Sequence, residues 1–269
     1  MHSDFGFQLT EVMATATVIS LTSATSSYLL PPNSKCMLAR KRALFFSPLH
    51  HVSSNFAFSS SLQFKKCRQP RRPVIKAART ESKAVILGSR APDFQLLEPL
   101  TGKTWELDDF DSHPALLVMF ICNHCPFVIH LKQDIVKLTN YYMKKGLAVV
   151  AISSNSVVTH PQDGPDFMAE EAKLFKYPFP YLYDESQDVA RAFGAVCTPE
   201  FLLYKKVGRR PFELVYHGQF DDSRPSNNMR VTGRDLSMAI DSALSGQPLS
   251  FVQKPSVGCS IKWHPEKSM

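Results

Sequence analysis

Two cysteines separated by two residues stand where an apolar stretch gives way to an amphipathic helix, and that junction leaves few architectures open. The motif is Cys122-Asn123-His124-Cys125-Pro126. Before it, Ala115 to Cys122 forms the longest uninterrupted apolar run, eight residues, and Leu116 to Ile121 reads as a strand buried on both faces. After it, Val128, Leu131, Ile135, Leu138 and Tyr142 recur at three and four residues, the period of a helix with one buried stripe, and Lys144-Lys145-Gly146 closes it. The first N–H groups of a helix lack internal partners and carry the positive end of its dipole, so a thiolate there is stabilised. Cys122 is therefore the expected nucleophile and the more acidic thiol, its sulfur facing the dipole and solvent. Cys125, one turn further in and partly covered, is placed to attack a mixed disulfide at Cys122 and release the substrate as a thiol. Pro126 costs little, because a first-turn N–H needs no acceptor. His124 can become cationic and tune the pair toward the thiolate, which makes the disulfide more oxidising; its bland alternative is a solvent-facing ring without influence.

The rest of the pattern is that of an α/β domain. Strand-like runs lie at Leu147 to Ile152, Tyr181 to Tyr183, Phe201 to Val207 and Phe212 to Tyr216. Between and after them, Pro165 to Tyr177, Ser186 to Phe193 and Gly233 to Leu244 read as helices, the last with Thr232 and Asp235 spaced as a capping box. Only Gly208 to Pro211 separates the last two strands, so they are expected to form an antiparallel hairpin.

This order resembles a thioredoxin-like fold, a central mixed sheet with flanking helices, carrying an inserted strand and helix. Gly88 to Phe94 followed by Thr101-Gly102-Lys103-Thr104 resembles the N-terminal β-hairpin shared by peroxiredoxins and membrane-anchored thioredoxin-like reductases. The resemblance covers about residues 85 to 264. It implies that Thr198-Pro199, just before the strand at Phe201, faces the cysteine pair as a cis-proline step and leaves a backbone edge free for an extended substrate. His124 occupies the place of the histidine in disulfide isomerases, which implies a potential above that of thioredoxin. Cys-Asn-His-Cys-Pro-Phe, the segment Gly218 to Pro225 and the tail Pro255 to Trp263 together resemble one peroxiredoxin-like family. Within that tail Cys259 is a possible accessory thiol, resolving a disulfide with Cys122 or Cys125, or else a tail thiol with no redox task. Cys197 reads as a small buried residue rather than a third thiol beside the site. Asp221, Asp222 and Arg224 read as a salt-bridged turn rather than a wall of the groove.

Dithiol–disulfide exchange is the chemistry these residues suit. A peroxiredoxin needs Pro-x-x-x-Thr/Ser-x-x-Cys, and aligning Cys125 with its reactive cysteine puts Val118 at the proline and Cys122 at the threonine. Both partners are missing, so an atypical thiol peroxidase is the alternative enzyme. From other classes come a metal-binding module using Cys122, Cys125 and Cys259 or His124, and a redox-inert docking module; no second C-x-x-C or H-x-x-x-H completes a metal site, so none is assigned. No cofactor is expected. The expected partners are protein or small-molecule disulfides and an electron donor such as thioredoxin or glutathione.

Charge divides the 269 residues into two parts. Residues 1 to 80 hold 11 Lys and Arg against 2 acids and contain 18 Ser or Thr, with no acid between Met13 and Thr80, leaving 20 basic against 22 acidic residues for the remainder. A Ser-rich, basic, acid-free N-terminus resembles a plastid transit peptide, with a mitochondrial presequence or a retained disordered basic tail as the alternatives, and Ile75-Lys76-Ala77-Ala78 resembles a stromal processing site. Residues 1–77 are thus expected to be a disordered leader and 78–269 the mature redoxin domain, with its core at about 85–250 and a tail at 251–269, in the chloroplast stroma. Cys36 and Cys67 would leave with the leader. The nearly neutral remainder gives no basic face for nucleic acid, and no apolar run approaches the length of a membrane helix.

Overall fold

The computed structural model describes residues 79–206 and 208–265. The expected leader, its cut before Ala78, Cys36 and Cys67 lie outside the described residues. In chain order the elements are β1 (Arg79–Glu81), β2 (Gln95–Leu97), β3 (Thr104–Glu106), β4 (Ala115–Phe120), α1 (Pro126–Met143), β5 (Leu147–Ser153), α2 (Pro165–Phe175), β6 (Tyr181–Tyr183), α3 (Asp188–Ala192), β7 (Cys197–Thr198), β8 (Glu200–Lys205), β9 (Glu213–Gly218), α4 (Arg234–Ser245) and β10 (Val257–Ser260). One sheet has seven strands in the order β3-β2-β6-β5-β4-β8-β9, and a second has three in the order β1-β10-β7. In the large sheet β4, β5 and β6 run parallel, while β8 and β9 on one side and β2 and β3 on the other are antiparallel. This is the thioredoxin-like fold with an N-terminal hairpin and an inserted strand and helix.

β4 explains why its sequence reads as one continuous apolar run. Side chains alternate across a strand, and here both faces are covered. Ala115, Leu117, Met119 and Ile121 pack with α1, α2 and α4, whereas Leu116, Val118 and Phe120 pack with Phe94, Phe110 and α3. All six residues of β4 and all seven of β5 are buried. Each such aliphatic side chain contributes about 1.5–3 kcal/mol relative to exposure. α1 shows its expected stripe, with Val128, Leu131, Ile135 and Tyr142 buried. The Lys132 ammonium, also buried, is paired with Glu171 at 2.7 Å and so ties α1 to α2.

Three expectations change at element ends. α2 stops at Phe175 because Lys176 turns into the left-handed region at φ 53. α3 is shorter than expected, since Ser186 Oγ accepts the Asp188 N–H and Gln187 adopts φ 65. The capping box before α4 does not form. Gly233 is the cap residue, at φ 64, and the Asp221 carboxylate takes the N–H groups of Thr232 at 2.5 Å and Gly233 at 2.7 Å, while Asp235 accepts from Gln219 at 2.7 Å. A side chain at Gly233 would strike Leu138 Cδ1 at 2.8 Å, so the close approach of α1 dictates the glycine. Asp221, Asp222 and Arg224 form the expected turn but not the expected salt bridge: Arg224 donates to the Asp221 carbonyl at 2.5 Å, and the ion pair to Asp222, at 2.7 Å, comes from Lys254. Among the described residues no helix is long and apolar enough to cross a membrane.

Candidate active site

β4 ends at Phe120, and Ile121 still bonds to the Ile152 carbonyl at 3.0 Å, so Cys122 leaves the sheet at its C-terminal edge. Cys125 is the cap residue of α1, Pro126 is its first residue, and the Val128 N–H reaches the Cys125 sulfur. The sequence placed both thiols at the helix start. It did not anticipate their burial: Cys122 is 1% exposed and Cys125 0%, so the expectation that the Cys122 sulfur faces solvent is corrected. Cys122 is nonetheless the outer of the two, because it adjoins the half-exposed Asn123 and His124.

Thr198 lies against both sulfurs. Its Oγ1 is 3.4 Å from Cys122 Sγ, and its carbonyl accepts from Cys125 Sγ at 3.1 Å. The Thr198–Pro199 bond is cis. Contact with Cys125, burial and the Asp163 charge push the Cys122 thiol up, whereas S–H groups of Cys122 and Cys259 and the Val128 N–H hold Cys125 down against its burial. The helix dipole is therefore not the only influence on the acidity of the pair. The Thr198 carbonyl pulls the other way, since it can only accept and so favours S–H on Cys125. Each sulfur has partners for either state, so the two thiols titrate as a coupled pair.

His124 is not a lone tuning group. Its Nδ1 is 4.0 Å from Cys122 Sγ but 2.5 Å from Asp163 Oδ2. Asp163 is fully buried and also accepts from the backbone N–H of Asn123 at 2.9 Å, that of His124 at 3.2 Å, and Asn155 Nδ2 at 2.9 Å. Burial raises its pKa, but the bonds from His124 and Asn155 outweigh this and hold the carboxyl below its ordinary value. His160 stacks on His124 with ring centroids 4.7 Å apart. Asp163 and Asn155 are the site residues that sequence reading missed. Pro161-Gln162-Asp163-Gly164 has the composition of a turn, and nothing in it signals that it folds over a loop 40 residues earlier.

The edge expected to be free for substrate is filled. β10 pairs antiparallel with β7, with Cys259 opposite Thr198 and Ser260 opposite Cys197. Cys259 is 3% exposed and lies in the same buried cluster as Cys125, a neighbour that together with burial pushes the Cys259 thiol up. Cys197 points away, toward Glu200 at 3.4 Å, and burial pushes its thiol up, so it packs as the small buried residue expected. All four described cysteines are unbonded.

Cys122, His124 and Asp163 bring ligand atoms within 4.8 Å of one another. They do not suit a metal, because a cation at Asp163 would have to displace four donors already aimed at its two oxygens.

Residues 87–215 match the AhpC/TSA family. That span is similar to the AhpC/TSA family domain. Both motif cysteines, His124, Asp163 and Thr198 fall inside its matched span, whereas β10 and Cys259 lie beyond it. A solved structure of an uncharacterized conserved protein from Geobacillus kaustophilus is 47% identical, covering 70% of this chain and 97% of its own, with a TM-score of 0.67. A hypothetical protein from Sinorhizobium meliloti 1021 is also 47% identical, covering 69% and 98%, with a TM-score of 0.66. The thiol-disulfide oxidoreductase ResA of Geobacillus thermodenitrificans is 28% identical over 132 residues, which are 48% of this chain and 70% of that protein.

Proposed function

We propose that this protein is a thiol–disulfide oxidoreductase that exchanges disulfides through Cys122 and Cys125. The observation that carries the reading is a dithiol at a helix start with Thr198 set against both sulfurs, its hydroxyl at Cys122 and its carbonyl at Cys125. The ResA likeness supports it. A proton passing from Cys122 to Cys125 leaves the outer sulfur as thiolate, accepting from Thr198 Oγ1, and the inner one as a thiol donating to the Thr198 carbonyl. Cys122 then attacks a substrate disulfide, one substrate sulfur leaves as a thiolate, and Cys125 displaces the second to close Cys122–Cys125. The substrate gains two electrons and the pair loses two, which thioredoxin or glutathione would return.

Peroxide is a poorer substrate for this geometry. Val118, at the position of the shielding proline, packs on the opposite face of β4 from both cysteines. Among the described residues no arginine bonds to either sulfur. A peroxide bond needs such polarisation as it breaks, while a disulfide sulfur leaves readily as a thiolate. Stopped-flow mixing of the reduced protein with a model disulfide and with hydrogen peroxide tests this. Faster reaction with the disulfide, abolished in Cys122→Ser, is expected. Peroxide consumption that persists in Cys122→Ser and vanishes in Cys125→Ser would replace the reading with that of a thiol peroxidase.

The reading extends to residues 1–77 as a plastid transit peptide and to the stroma as the site of action. Its support is the acid-free, Ser-rich composition, together with solved relatives matched over nearly their whole length by 70% of this chain. Import into isolated chloroplasts followed by N-terminal sequencing checks it. An organelle form starting near Ala78 is expected, and failure to import removes the location.

A further inference from the structure

The edge of β7 next to the dithiol is where an extended substrate would pair, and the chain's own tail sits there. Its docking is built in detail. Cys259 stands opposite Thr198, the Ile261 N–H bonds to the Val196 carbonyl at 2.9 Å, and Ser256 Oγ donates to the Gly218 carbonyl at 2.7 Å. A Cβ on Gly258 would lie 2.0 Å from the Thr198 carbonyl oxygen, so only glycine lets the two backbones approach this closely. Asn155 connects the tail to the motif loop, since its Oδ1 accepts the Lys262 N–H at 2.8 Å while its Nδ2 donates to Asp163. The strand therefore presents a cysteine to Cys125 in the manner of a bound peptide.

We infer that Cys259 is a third redox residue, to which β10 gives access, and that it receives the disulfide from the motif as a Cys125–Cys259 bond. The inference rests on the dithiol reading above. After substrate turnover the Cys259 thiolate attacks the Cys125 sulfur of Cys122–Cys125, the Cys125–Cys259 bond forms, and Cys122 leaves as a thiolate. The proton lost by Cys259 matches the one Cys122 takes up, and no electrons are gained or lost. An external thiol of the glutathione or thioredoxin class then reduces the new bond. Oxidation of Cys125 also removes the sulfur charge that holds the Cys259 thiol up, so the attacking group is freed when it is needed. The bond staples β10 over Thr198, closing the oxidised form to extended peptides until it is reduced.

Disulfide mapping of the full chain tests this. Reduced protein is oxidised with hydroxyethyl disulfide, quenched in acid with a maleimide, digested with trypsin without reduction and read by mass spectrometry. No Lys or Arg separates Cys122 from Cys125, whereas many separate Cys125 from Cys259, so the two disulfides give a looped peptide and a linked pair respectively. The linked pair with the maleimide on Cys122 is expected as the main product. It should give way to the loop in Cys259→Ser, and be lost in Gly258→Ala while the loop remains. A wild-type loop with labelled Cys259 overturns the inference and leaves the dithiol reading intact. Full labelling of all three cysteines overturns both. Because Gly258→Ala risks misfolding, the wild-type map decides by itself.

Discussion

Cys259 stands across a two-strand ladder from Thr198, the residue whose hydroxyl and carbonyl address the sulfurs of Cys122 and Cys125. One backbone pairing thus brings the tail of the chain to a motif more than a hundred residues earlier. It also explains why both motif cysteines are buried in this arrangement, and the acid–base behaviour of the pair follows from the groups gathered around it.

Replacing Cys125 by Ser should make Cys122 easier to ionise than the second thiol of the wild-type pair. The largest influence holding Cys122 up is its contact with the Cys125 sulfur, ahead of burial and the Asp163 charge, and a serine hydroxyl does not compete for the charge. The pH profile of iodoacetamide labelling checks this. A Cys122 profile unchanged or moved to higher pH would show that the two sulfurs do not share a charge.

Asp163→Asn should shift labelling of the pair to lower pH, because the Asp163 charge opposes a thiolate on Cys122. The same change weakens the charge-assisted bonds from His124 and from the Asn123 and His124 backbone, at a cost of roughly 1–3 kcal/mol of stability. Denaturant unfolding reads the second effect independently of the first.

Thr198→Val should act in the opposite sense. Its hydroxyl favours the charged form of both sulfurs, so labelling and disulfide exchange should move to higher pH. Stability should change by about 1 kcal/mol, since valine keeps the β-branched shape but drops a buried hydrogen bond.

Acid should expose the Asp163 network. A carboxyl held below its ordinary value of 3.8 contributes stability that is fully present above that value and is lost as pH falls through the folded-state pKa. Unfolding free energy measured from neutral pH downward should therefore drop in this acid window, and less steeply in Asp163→Asn. Equal slopes would mean that other carboxylates dominate.

By itself the sequence determined the main helices and the strands of the large sheet in their order, but not β1, β7 and β10 of the small one. The apolar run of β4, the heptad-like stripe of α1 and the short gap between β8 and β9 are local patterns whose burial and turn requirements permit little else. It also located the dithiol, because a strand–helix junction is legible from the change in period from two to 3.6. Only the tertiary structure decided the chemistry of that dithiol. Asp163, Asn155 and Cys259 act on it from 38, 30 and 134 residues beyond Cys125, through a loop that folds over the junction and a tail that pairs with β7. The acidity of a buried thiol depends on which donors and charges surround it in space. Periodicity reports which face of an element is covered and not what covers it, so the groups that act on Cys122 and Cys125 and the filled substrate edge became visible only once the chain was closed around Thr198.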